Sequence, residues 1–350
     1  MSDETKETGT RGGPAKLAFL LRCCSCRFTA YYWMGFCAGL AMAGQLTVGW
    51  ALLALPWWFA YSTGTEALNR VADREEDAIN RPERTWMCEQ VGWANLRWVA
   101  IGSWVVFALI GVGVLWRYPS FALAGTAIVS SMIAIGYSVG PTFKRHRLLA
   151  LLALTTPMIT PLCMGWAVGG SLPVLLGIVL PAGCALVLFS LGLGGIKDIT
   201  DIEGDRAVNY SSLWLSLLTS RRGLAIYAAI CLPACVTVLG VLFADLPPSS
   251  LGVLPFVFVS ALVVTAASRA KTTEERGVAR EVMHLYTQCY LALYLLLAVP
   301  SAGMAVVTGA GIACWLVTSR WLHWSGGMDA ARWRRWASLL PGPESRRPAH

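Results

Sequence analysis

Apolar runs long enough to cross a bilayer, about 20 residues each, recur along the whole chain. They fall near 28–46, 49–68, 97–116, 120–139, 148–168, 172–195, 222–243, 249–268, 283–300 and 303–320. Each reads as a helix, because backbone groups in hydrocarbon need partners within their own segment. The short alternating segments of a membrane β-barrel do not occur. The last two runs meet at Pro300 and Gly303, so the pattern alone leaves them as two spans or one broken one. Residues 1–14 and 341–350 are polar or Pro/Arg-rich and read as disordered tails. The expected organisation is a leader at 1–14, one transmembrane domain at 15–325, and a basic C-terminal tail at 326–350.

Composition agrees with this map and removes the soluble classes. Only 14% of residues are charged against 56% hydrophobic, and mean hydropathy is +0.56. Soluble domains carry about 25% charge, so lipid must cover most of this surface. The net charge of +8 therefore indicates topology and not nucleic acid. With the N-terminus cytoplasmic, the inner side collects Lys16, Arg22 and Arg27, four basic residues at 70–84, three at 144–147, four at 197–222 and four at 269–280. The outer loops keep only Arg117. This is the positive-inside pattern of a cell inner membrane protein, and ten spans also return Arg332, Arg334 and Arg335 to the cytoplasm. The leader does not look like a cleaved signal peptide. Cys23, Cys24 and Cys26 have no second Cys or His pair at zinc-site spacing, which favours packing or lipidation over a metal.

The acids are distributed very unevenly. Eight of the twenty lie in two windows, 73–77 and 198–205. In the first, Asn69, Asp73 and Asp77 are spaced i, i+4, i+8; in the second, Asp198, Asp201 and Asp205 are spaced i, i+3, i+7. Either set shares one helical face, at the inner end of the second or sixth span. Asp73 to Asp201 and Asp77 to Asp205 are both 128 residues, which points to an internal four-helix repeat, about 28–139 and 148–268. Carboxylates crowded at membrane depth are costly and usually functional. Mg²⁺, a hard cation that takes one or two carboxylates together with substrate phosphate oxygens, resolves the repulsion. Two facing clusters would then grip a diphosphate. A salt-bridged face is the plainer alternative, given Arg70, Arg74, Arg81 and Arg84 beside the first window. Tyr137 with Lys144 and Arg145, at the inner end of the fourth span, supplies a hydrogen-bond donor and cations suited to phosphate. Gly192, Gly194 and Gly195 lack a phosphate-loop ending and read as helix packing.

These residues resemble the UbiA superfamily of intramembrane prenyltransferases. The stretch Asp73-Arg74-Glu75-Glu76-Asp77-Ala78-Ile79-Asn80-Arg81-Pro82 is similar to the first motif of that family. Lys197 to Asp205 looks like the second motif of the homogentisate-type aromatic prenyltransferases. The segment after it departs from the family, with Asn209 at a usual Gly and no Pro after Ser212. The resemblance implies an all-α bundle of nine transmembrane helices around a central cavity, where charge parity adds a tenth. It implies Mg²⁺ held by Asn69, Asp73, Asp77, Asp198, Asp201 and Asp205, and diphosphate contacts from Arg74, Tyr137, Lys144 and Lys197.

The expected reaction is prenyl transfer from an isoprenoid diphosphate to an aromatic, lipophilic acceptor, with no protein partner. Tyr31, Tyr32 and Trp33, with Trp57, Trp58, Phe59 and Tyr61, are candidates to shield an allylic cation. A terpene cyclase of the same superfamily is the alternative. A cation or polyphosphate transporter is remote, because the acids gather at one end and leave the rest of the path without polar groups.

Overall fold

The computed structural model describes residues 13–201 and 223–341. Asp205, Asn209 and Ser212 lie outside the described residues.

All described secondary structure is helical, in fourteen helices. A short helix α1 (Gly13–Cys23) precedes α2 (Thr29–Met42) and the long α3 (Val48–Ala72). Two surface helices follow, α4 (Arg74–Asn80) and α5 (Pro82–Val91). Then come α6 (Trp93–Arg117), α7 (Phe121–Ser138) and α8 (Arg147–Trp166), and α9 (Leu172–Gly194), which has a π-helical segment at Leu175–Val179. The remainder is α10 (Gly223–Phe243), α11 (Phe256–Arg269), α12 (Thr273–Ala298), α13 (Ala302–Trp321) and a short amphipathic α14 (Ala330–Leu339).

Six helices are long and apolar enough to cross a membrane by length and composition alone: α6, α7, α9, α10 from Ile226, Pro248–Arg269 and α13. The protein is a multi-pass membrane protein. Among the described residues the ten sequence-predicted runs each fall on a helix of at least 14 residues. Pro300 and Gly303 mark a true break, since α12 ends at Ala298 and α13 begins at Ala302 after the cap Ser301, whose Oγ accepts from the Met304 amide at 3.2 Å. The basic segment after residue 325 contains α14, anchored by the buried side chains of Trp336 and Leu339.

Local sequence explains the boundaries. Thr47, Ser120 and Asp329 cap α3, α7 and α14 through their side-chain oxygens. Thr272 and Glu275 form a reciprocal capping box at the start of α12. The crossing of α2 with α8 depends on glycine. A Cβ on Gly39 would sit 2.0 Å from the Leu162 carbonyl oxygen, and one on Gly165 would sit 2.0 Å from the Phe36 carbonyl oxygen. Small residues are what let two membrane helices approach to backbone contact. Beside this crossing, Phe36, Trp57, Trp58, Tyr61 and Phe107 form one aromatic cluster with ring centroids about 5–6 Å apart.

Candidate active site

The first acidic window is bent where the sequence suggests one continuous face. α3 stops at Ala72, and Asp73 has φ −97° and ψ 16°. Helical hydrogen bonds still cross the bend, from Asp73 N to Asn69 O and from Asp77 N to Asp73 O, both at 2.8 Å. The kink separates the three oxygen-bearing side chains. Asn69 lines the central cavity and accepts from Ser138 Oγ at 2.9 Å. Asp73 pairs with Lys144, which also contacts Glu76 at 3.2 Å. Asp77, almost fully buried, accepts from Arg84, from Arg70 at 3.2 Å and from Arg81 at 3.5 Å.

These ion pairs set the charge states. Burial alone would raise the Asp77 carboxyl, but Arg84, Arg70 and Arg81 together hold it below the usual carboxylate range. Glu76 goes the other way: burial and neighbouring Asp73 push it up against the opposing pull of Lys144. Burial would lower the Lys144 ammonium, but Asp73 and Glu76 raise it.

The two windows meet through Arg81. Its Nη2 lies 2.5 and 2.6 Å from the two carboxylate oxygens of Asp201, while its Nη1 reaches Asp77. Asp201 also accepts from Thr200 Oγ1 at 2.9 Å, and Thr200 accepts from Arg280 on α12 at 3.1 Å. Lys197 and Asp198 lie on the 3₁₀ turn Gly195–Thr200 that extends α9 toward this point. The turn therefore brings Asp201 of the second window against the first.

Above this junction lies a cavity of about 250 Å³. Its motif-end wall contains Arg27, Arg70, Arg81, Arg84 and Arg280. Tyr31, Tyr32, Tyr61, Met158, Leu193 and Met283 also line it. The Nε atoms of Arg27, Arg81, Arg84 and Arg280 are buried and have no hydrogen-bond partner among the described residues. Buried N–H donors without partners are uncommon and costly; here four of them belong to side chains lining one chamber. An anion is the complementary ligand. Phe28 and Trp315 pack over Arg27, which is anchored on α12 by Glu281 at 2.7 Å.

Other sequence-predicted residues take distinct places. Tyr137 lines the cavity. Arg145 is exposed, and Arg74 is exposed with its guanidinium 4.9 Å from the Trp93 ring. Of the seven aromatics suggested as cation shields, Tyr31, Tyr32 and Tyr61 line the cavity. Trp33, Trp57 and Trp58 are core residues, and Phe59 faces outward. Cys23 and Cys24 are buried in a small cluster with Ala67 and Cys88, so packing accounts for them. Among the described residues no group of three or more His, Cys, Asp or Glu side chains is arranged to hold a metal ion.

Sequence reasoning missed Arg27, Arg280 and the segment after α13. Arg27 and Arg280 looked like ordinary loop cations of the positive-inside pattern. The available signal was their position, each within a turn of an apolar span where a mobile surface lysine would have served topology equally well.

The family model of the UbiA prenyltransferase family matches residues 32–286. Solved structures share the fold. A UbiA homologue from Archaeoglobus fulgidus, bound to GPP and Mg²⁺, superposes with a TM-score of 0.60 at 13% identity, covering 85% of this chain and 99% of that one. A digeranylgeranylglyceryl phosphate synthase superposes with a TM-score of 0.57 at 13% identity, covering 82% and 99%. No curated protein sequence matches the chain. The family match takes in the first window, Arg70, Arg81, Arg84 and Arg280 of the cavity wall and the turn that leads to Asp201, and on that ground the chain belongs to the UbiA prenyltransferase family.

Proposed function

We propose that the protein transfers a prenyl group from an isoprenoid diphosphate to an aromatic, lipophilic acceptor, using Mg²⁺, with the motif end of the bundle at the cytoplasmic face of the cell inner membrane. The observation that carries this reading is the cavity itself. It combines arginines, four of them with a buried, unpartnered Nε–H, with tyrosines and apolar side chains. A diphosphate with an isoprenoid tail is complementary to that combination. The A. fulgidus homologue was solved with GPP or with DMAPP, each together with Mg²⁺, which supports both substrate class and metal.

The donor chemistry suits the metal. Asp73, Asp77 and Asp201 offer carboxylate oxygens and Asn69 an amide oxygen, all hard ligands, and Mg²⁺ needs only one or two of them beside phosphate and water. We assign Asp198 and Asp205 to the same set. Bound there, Mg²⁺ would neutralise charge developing on the diphosphate.

The chain's own residues then divide the work. Arg81, Arg84 and Arg280 donate to diphosphate oxygens, with Lys144 and Lys197 completing the positive field. As the C1–O bond breaks, the electron pair leaves with the diphosphate and the tail becomes an allylic cation. Tyr31, Tyr32 and Tyr61 face it and exclude water. The acceptor's ring carbon forms the new bond to C1, and a proton leaves that carbon.

Cyclisation of the tail on itself is the second reading, favoured by the three cavity tyrosines. Purified protein given geranylgeranyl diphosphate and Mg²⁺ without acceptor separates the two. Transfer leaves the diphosphate intact, whereas a cyclic hydrocarbon would establish cyclisation.

A further inference from the structure

The chain does not leave the site after α13. His323 and Trp324 line the same cavity as the arginines. The Trp324 ring has Arg280 Cζ 5.0 Å and Arg84 Cζ 5.6 Å from its centroid. Those two guanidinia belong to different halves of the site. Arg84 binds Asp77 of the first window, and Arg280 reaches Asp201 of the second through Thr200. The two like charges share one indole, each with a carboxylate of its own, Asp77 for Arg84 and Glu281 at 3.6 Å for Arg280, and both keep a buried, unpartnered Nε–H.

The indole is itself held by a built strap. Gly326 and Gly327 turn the chain with φ of 72° and 65°, in the left-handed region that side chains rarely adopt. A Cβ on Gly327 would lie 3.2 Å from the Ser319 carbonyl oxygen. Arg332, in the first turn of α14, donates to the carbonyl of Ser325 at 2.6 Å and to that of Gly327. His323 Nδ1 and Ser325 Oγ lie 2.6 Å apart. The family match ends at residue 286, so the whole strap lies beyond it.

We propose that Trp324 is a positioning residue for the diphosphate: its indole keeps Arg84 and Arg280 side by side with their Nε–H groups available to one anion, and the strap from Ser325 to Arg332 keeps the indole there. The proposal rests on reading the cavity as a diphosphate site. It extends that reading by giving the C-terminal segment a role in substrate affinity.

The test uses full-length protein in detergent with Mg²⁺, and titration calorimetry with inorganic pyrophosphate and with geranylgeranyl thiodiphosphate, an unreactive analogue. W324A and W324L are expected to weaken both ligands about tenfold, as loss of desolvated cation–π support implies. W324F is expected to stay within about threefold of the parent, and R332A to lose part of the affinity without touching the arginines. Phe and Leu both fill the space with apolar atoms, so the pair remains informative if W324A fails to fold. Equal affinities for W324L and W324F, or no change in any variant while the parent binds, would overturn the positioning role and leave the diphosphate reading intact. A parent protein that binds neither ligand would overturn both.

Discussion

The two ends of the bundle are built from the same kinds of helix and yet differ in nearly every polar respect. At the end opposite the motifs, the connections 43–47, 117–120, 167–171, 244–249 and 299–301 contain only two charged residues, Arg117 and Asp245. Arg117 lies over the neighbouring Tyr118 ring at 5.0 Å, and Asp245 donates its backbone amide to Gly177 O at 2.9 Å. At the motif end lies every ion pair among the described residues. Closing a helical turn requires caps and turns, and the opposite end achieves it with Ser, Thr, Gly and Pro. The buried charges at the motif end are therefore more than fold closure demands. Buried ion pairs are weak evidence of stability, because desolvation offsets much of their attraction; these are better understood as a charge network that a ligand rearranges.

Substitutions that fall on one end should separate these roles. The largest effect is expected at Asp77. Its replacement by Ala leaves Arg70, Arg81 and Arg84 without their shared carboxylate, and breaking a buried pair costs about 3–5 kcal/mol. Unfolding in detergent should show that loss, with diphosphate release falling below detection. Its pH behaviour follows from the same contacts. A carboxyl held below its usual range contributes stability that is present above its unfolded pKa and is lost as pH falls through the depressed one. Unfolding midpoints should therefore stay level on Asp77's account from about pH 8 down to about pH 5, and the D77N variant should lack the acid-side decline.

Arg81→Met ranks next. It removes the direct link between Asp77 and Asp201 together with a proposed donor to the leaving group, and should reduce turnover by about 10²-fold with a smaller loss of stability. Gly39→Ala acts near the end opposite the motifs, one turn from the end of α2. The added Cβ must push α2 from α8, costing about 1–3 kcal/mol, and it should also weaken diphosphate binding by shifting Arg27 and Tyr31 at the other end of α2. A thermal melt alongside a binding titration would register both. Arg117→Ala is expected to change stability by no more than about 0.5 kcal/mol and to leave turnover alone. A large loss of turnover there would dissolve the contrast between the ends.

Much of this contrast was legible from spacing. Helix existence followed from apolar runs, which in a membrane have a single economical solution, and the break at Pro300 is resolved by the Ser301 cap. The pairing of the windows was suggested by Asp73 and Asp201 standing at equivalent helix ends, and in the structure Arg81 joins Asp77 of the first window to Asp201 of the second. The kink at Asp73 was not, since i, i+4 spacing holds for a straight or a bent helix alike. Arg27 could not be assigned to the cavity, as its partner Glu281 is 254 residues away. Trp324 was hidden for a related reason. Among sixteen tryptophans, most of them suited to the bilayer interface, one that stacks on two arginines differs only in what the fold brings to it. Arg74 and Lys144 show the converse limit. Arg74 sits within the first motif yet stacks on Trp93, and Lys144, a diphosphate candidate 71 residues after Asp73, pairs with that carboxylate.

The central claim is that the acidic windows and the arginine wall act together on a prenyl diphosphate. It is tested most directly by measuring binding of geranylgeranyl thiodiphosphate to the parent protein and to D73N and D77N, each with Mg²⁺ and with a chelator. The account predicts tight binding only in the parent with Mg²⁺, and a loss of the metal dependence in both variants. Binding that is equally tight with chelator, or that keeps its full Mg²⁺ dependence in D73N and D77N, would contradict it.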